Sequence, residues 1–140
     1  DLVNAARSSL SPLQQHVVFL TASYENECAY CMAGHSAAAQ ADGIDARVIN
    51  ALRDGNQLPD QQLETLPAFT AELVVGRGFV DQHSLKTLLD AGFTRANVLD
   101  VIVAIASKTI SNYVCQLTGM SLDDSSHRHA WTPPSNLSAA

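Results

Sequence analysis

Charge is scarce in this 140-residue chain, and one sign prevails. Charged residues make up 16%, with 8 basic against 14 acidic side chains and a formal net charge of −6. So little lysine and arginine argues against nucleic acid or an anionic membrane as partner. Aromatic residues reach only 6%, and no stretch alternates with period two, so a sheet-based fold has little support. Uninterrupted apolar runs such as Val101 to Ala106 fall far short of the roughly 20 residues of a membrane span. No glycine-rich phosphate loop and no Ser-His-Asp order is present, which removes support for nucleotide chemistry and serine hydrolysis. Cysteine is limited to three residues, with Cys28 and Cys31 close together and Cys115 far along the chain. That pattern is no disulfide scaffold. It points to a reducing, cytoplasmic setting, where a close pair is more often catalytic or metal-binding than structural.

What the chain has in quantity is alanine, 20 residues, and leucine, 16, within a hydrophobic content of 46%. This is the composition of one domain with a real core, and it favours helices over strands. Ser11 is a good N-cap with Pro12 at the first helical position, and Leu13, Val17, Leu20 and Tyr24 form one apolar stripe behind it. A second helix is predicted from near Cys28 to Asp42, stopped by Gly43. A short one follows from about Ala46 to Asp54, then a longer one from Gln61 to Arg77, which Pro67 either kinks or truly begins. Asp81 caps a fifth helix, and a sixth runs from Arg95 to Thr118. Gly43-Ile44-Asp45 and Gly92-Phe93-Thr94 share one device: a stop, a staple and a cap.

The sixth helix is apolar nearly all round, so it is expected to be central or buried against another subunit, and the chain is expected to form a homo-oligomer. Residues 1–126 read as a single helical domain of about six helices. Residues 127–140 read as a tail that wraps a neighbour or frays, with Trp131 as its anchor.

The chemistry lies in Cys28-Ala29-Tyr30-Cys31-Met32-Ala33-Gly34-His35. On a helix these spacings project Cys28, Cys31 and His35 from one face. Cys28 sits near the helix N-terminus, where free N–H groups favour a thiolate. His35 is placed to take a proton from Cys31. Two thiols with a base in reach are what reversible disulfide exchange requires. On this reading Cys31 is oxidised to a sulfenic acid and Cys28 condenses with it. A zinc site is the rival, with His16 or Cys115 as a fourth ligand. Cys115 otherwise reads as a core residue, and Glu25 and Glu27 as helix-capping carboxylates.

The run from Leu10 to Ala41, with its C-x-x-C-x-x-x-H motif at a helix start, resembles the alkylhydroperoxidase D-like branch of the carboxymuconolactone decarboxylase family. Asp90-Ala91-Gly92-Phe93, Asn97-Val98-Leu99 and Ser111-Asn112-Tyr113-Val114 are similar to that family's later helices. The resemblance implies a compact all-α helical bundle that oligomerises and acts as a peroxidase or disulfide reductase on a hydroperoxide. Its cysteines are re-reduced by a dithiol such as a lipoylated protein, and neither cofactor nor metal is expected. A decarboxylase-like lyase and a non-enzymatic redox-switch or metal-binding oligomer are the alternatives. One position departs from the pattern. Members with a proton relay carry glutamate twelve residues before the first cysteine, and here that residue is His16. His16 is therefore expected to hydrogen-bond His35 as the relay's orienting group, and the catalytic set is Cys28, Cys31, His35 and His16.

Overall fold

Each of the six long helices opens on a side chain that accepts a backbone N–H of its own first turn, so the boundaries follow from local chemistry. A computed structural model describes residues 8–124 and 126–137. Ser11 caps α1 (Pro12–Glu25) in a reciprocal capping box with Gln14. Cys28 caps α2 (Ala29–Ala41), Asp45 caps α3 (Ala46–Asp54) and Asp60 caps α4 (Gln61–Val75). Asp81 caps α5 (Gln82–Asp90), and Thr94 shares a second capping box with Asn97 at the start of α6 (Arg95–Thr118). A single turn over His127–His129 and the short α7 (Pro134–Leu137) complete seven α-helices, with no strand among the described residues.

The repeated stop-and-cap device is built the same way twice. At Gly43 and again at Gly92 the backbone takes positive φ, 77° and 96°. The N–H groups of Gly43 and Ile44 then reach the carbonyls of Gln40 and Ala39, and those of Gly92 and Phe93 reach Leu89 and Leu88. These pairs satisfy the carbonyls left open at a helix end. Pro67 is buried inside α4, which begins at Gln61 and not at the proline.

The central helix is α1. Its Val17, Val18, Leu20 and Ala22 have no exposed surface, and it packs against α2, α3, α4 and α6. Of the two expectations for α6, a central position within the domain is corrected, and burial against another subunit stays as the alternative. Only one stripe of it is buried, namely Asn97, Val101, Ala104, Lys108, Asn112 and Cys115, at the three- and four-residue spacing of a helix packed on one side. Leu99, Ile110, Tyr113 and Leu117 lie exposed along its outer side. By length and mean hydropathy α6 is apolar enough to cross a membrane. Its inner stripe nevertheless carries Lys108 and Asn112, and Asp100 accepts from the Ser9 N–H and hydroxyl at 2.5 and 2.6 Å. Those polar groups tie it to the bundle.

The described part of the tail returns to its own domain. Arg53 donates to the carbonyls of His129 and Ala130 at 3.0 and 2.8 Å, and Trp131 Nε1 donates to the Arg53 carbonyl at 2.8 Å. The Trp131 ring rests on Tyr24, with centroids 5.7 Å apart. Residues 138–140 of the expected tail and residues 1–7 of the expected domain lie outside the described residues.

Trp131 therefore acts as the tail's peg. Its hydrogen bond and ring contact are worth about 1 kcal/mol each. Trp131→Ala should raise the open fraction of the tail roughly tenfold or more, read as faster trypsin cleavage after the exposed Arg128. Unchanged cleavage kinetics would show that Trp131 does not hold the tail.

Candidate active site

The motif occupies the start of α2 because the chain leaves α1 through a tight turn. Glu27 takes positive φ of 52° there, and Cys28 N–H closes the turn onto the Ser23 carbonyl at 3.0 Å. Cys28 is thus the N-cap, and its Sγ accepts the Cys31 backbone N–H at 3.3 Å. The capping role expected of Glu25 or Glu27 falls to the cysteine itself. Glu27 instead accepts from the Ser135 hydroxyl at 2.6 Å, which draws the tail over the motif.

The third cysteine joins the pair. Cys115, on the inner stripe of α6, has its Sγ 3.8 Å from Cys31 Sγ, and all three cysteines are buried and unbridged. Cys115 is buried, as its reading as a core residue expects, and it also faces the other thiols. Cys28, Tyr30, Cys115, Met120, Pro133 and Asn136 are among the residues lining a cavity of about 280 Å³. Cys31 lies behind this wall.

Electrostatics separate the two motif thiols. Hydrogen bonding to Cys31 lowers the Cys28 thiol to about 6, against burial, which pushes it up; the Cys31 N–H, the Cys115 thiol and the Lys108 charge add to the lowering. The same hydrogen bond to Cys28, with burial, raises Cys31. The cluster holds its negative charge on Cys28 and its proton on Cys31.

His35 pairs with Lys108. Its Nε2 lies 2.5 Å from Lys108 Nζ, and its ring leans on Phe19 with centroids 5.0 Å apart. The Cys31 sulfur is turned to Cys115 instead. Burial first, then the Lys108 charge and His16, lower His35 to about 3. A neutral imidazole accepts at Nε2 from the Lys108 ammonium and carries its own proton on Nδ1. The ammonium also lies 5.1 Å from the Phe19 ring centroid, within cation–π range. Burial lowers the Lys108 pKa, and the three cysteines oppose that.

The expected bond between His16 and His35 is not formed. His16 Nε2 pairs with Asp42 at 2.7 Å, and its Nδ1 is buried without a partner. The carboxylate stands at the far end of α2, so it draws His16 away. Sequence reasoning missed Lys108 and Asp42, and placed Cys115 near the pair only in the zinc reading. The available signal was the α6 stripe itself, where Lys108, Asn112 and Cys115 continue the spacing of Val101 and Ala104. Polar residues on an inner face call for partners.

Residues 1–61 match the carboxymuconolactone decarboxylase family, a span that takes in α1, α2 and α3 and so the whole motif. No curated protein matches the chain. Among solved structures it is similar to an uncharacterized peroxidase-related protein from Silicibacter sp. TM1040, with 22% identity and a TM-score of 0.76 over 86% of this chain. The chain spans 64% of the length of that protein. At this identity the likeness is one of fold, and it is the all-helical fold expected from the motif.

The buried neutral histidine has a consequence for stability. Unfolded, His35 gains a proton near its ordinary 6.5, whereas the native ring does so only near 3. Between those values the unfolded state binds more protons, so stability falls as pH drops through that window, by about 1.4 kcal/mol per pH unit at most. His35→Gln should flatten this part of the urea-midpoint profile between pH 6.5 and 4. A slope equal to that of the unaltered protein would contradict the assignment.

Proposed function

We propose that this helical domain, carrying the carboxymuconolactone decarboxylase family's motif, is a thiol-dependent oxidoreductase that reduces a hydroperoxide or a disulfide. The observation that carries this reading is the split pair. Cys28 is lowered to about 6 and lines the cavity, while the raised Cys31 stands behind it and gives its backbone N–H to the Cys28 sulfur. A thiolate for attack and a protonated thiol for resolution are the two components of disulfide chemistry.

The geometry favours an order opposite to the one expected from the motif. Cys28 thiolate attacks the outer oxygen of R–OOH, the O–O bond breaks, the alkoxide takes a proton from water, and Cys28 becomes a sulfenic acid. The Cys31 thiol then attacks that sulfur; water leaves and a Cys28–Cys31 disulfide remains. An external dithiol, such as a lipoylated protein, returns two electrons and two protons by exchange. Lys108 supports the thiolate through its charge, and neutral His35 orients Lys108 by accepting from it.

Cys28→Ser should lower peroxide turnover by about a thousandfold or more. Cys31→Ser should halt the reaction at a sulfenic acid that dimedone traps on Cys28. The rate of the unaltered protein should rise with pH through about 6, as the Cys28 thiolate forms, and then level off. Retained turnover in Cys28→Ser overturns the reading.

The outer face of α6 supports a second part of the proposal, a homo-oligomer. Leu99, Ile110, Tyr113 and Leu117 are each more than half exposed on one long helix, an apolar strip of the kind that a second copy covers. Light scattering should give a mass that is a multiple of 14.9 kDa, reduced toward the monomer by Leu117→Asp with Ile110→Asp. A monomer at micromolar concentration rejects assembly.

A further inference from the structure

The three buried cysteines have a geometry that disulfide exchange between two of them does not require. Their sulfurs all lie within 4.8 Å of one another. Cys31 Sγ is 3.8 Å from Cys115 Sγ, and the thioether of Met120 is 3.6 Å from Cys115 Sγ. A metal–thiolate bond of about 2.3 Å places sulfurs about 3.8 Å apart around a tetrahedral ion and about 4.0 Å apart around a trigonal one. The reduced cluster therefore already has the spacing of a coordination shell.

We propose that Cys28, Cys31 and Cys115 form a binding site for one thiophilic monovalent cation, Cu(I), with the Met120 thioether as a weak fourth sulfur. Ligand type selects the ion. The donors are thiolates and a thioether, which suit Cu(I), and no imidazole or carboxylate joins the group among the described residues. Zinc prefers four strong donors, and the nearby imidazole of His35 is engaged with Lys108. Cu(I) is satisfied by three sulfurs. Binding releases the thiol protons and leaves excess negative charge on the sulfurs, which the Lys108 ammonium, already acting on all three, offsets in part. The cavity lined by Cys28, Cys115 and Met120 gives the ion a way in. Since an occupied site withholds Cys28 from peroxide, metal binding regulates the redox pair by competition.

This inference uses the same sulfurs as the oxidoreductase reading but does not depend on turnover, so it is tested on the reduced protein without peroxide. The full chain, reduced and kept anaerobic, is titrated with Cu(I) against bathocuproine disulfonate. One equivalent per chain should be retained, and all three thiols should resist iodoacetamide in the loaded protein. Cys115→Ser, with helicity checked by circular dichroism, should weaken binding by about a hundredfold, and Met120→Leu by about tenfold. If Cys115→Ser does not fold, protection of Cys115 in the unaltered protein decides the point. Loss of all Cu(I) to the chelator, alkylation of Cys115 in the loaded protein, or Zn(II) held in preference to Cu(I) overturns the proposal. A 2 Da loss on peroxide treatment tests the redox reading separately, so either can fail alone.

Discussion

Burying an ammonium costs several kcal/mol unless other groups replace its water, and the site is organised around doing so for Lys108. The lysine sits buried on the inner stripe of α6. His35 from α2 accepts its hydrogen bond, Phe19 from α1 offers a ring face, and the cysteines supply negative charge. These groups come from three separate helices. Each answers the same charge, so the packing of α1, α2 and α6 and the ionisation of the thiols are one problem. A neutral His35 follows, first from its burial and then from the Lys108 charge beside it.

The elements were legible because their signals are local. Ser11, Asp45, Asp60, Asp81 and Thr94 cap helices that begin where the hydrophobic period starts, and Gly43 and Gly92 end them. The Cys28–Cys31 spacing was equally plain. The partners of the motif were not, since Lys108 is 73 positions from His35 and Cys115 is 84 from Cys31. A pattern along one helix gives the face a residue occupies and nothing about what faces it. His16 shows the limit: its helical position allowed a bond to His35, but Asp42, a residue read only as the end of a helix, took it.

The tail shows how a polar segment can be structured without a core of its own. It lacks an apolar face, yet Arg53 gathers two of its carbonyls and Trp131 fills the space beside Tyr24. Glu27, held in a conformation that costs a non-glycine residue about 1 kcal/mol or more, turns its carboxylate to Ser135. The tail then contributes Pro133 and Asn136 to the wall of the thiol cavity. Access to Cys28 is thereby tied to the same contacts that fold the tail down.

The exchange of glutamate for histidine at position 16 can be read in terms of where charge resides. A carboxylate beside His35 would favour the imidazolium and compete with Lys108 for the role of local cation. With His16 there, and its carboxylate partner displaced to the half-exposed Asp42, the nearest positive charge to the thiols is the lysine. The thiolate of Cys28 is then supported by the lysine charge, whose pKa burial lowers and the three cysteines raise, so the ionisations of Lys108 and Cys28 are tied to one another.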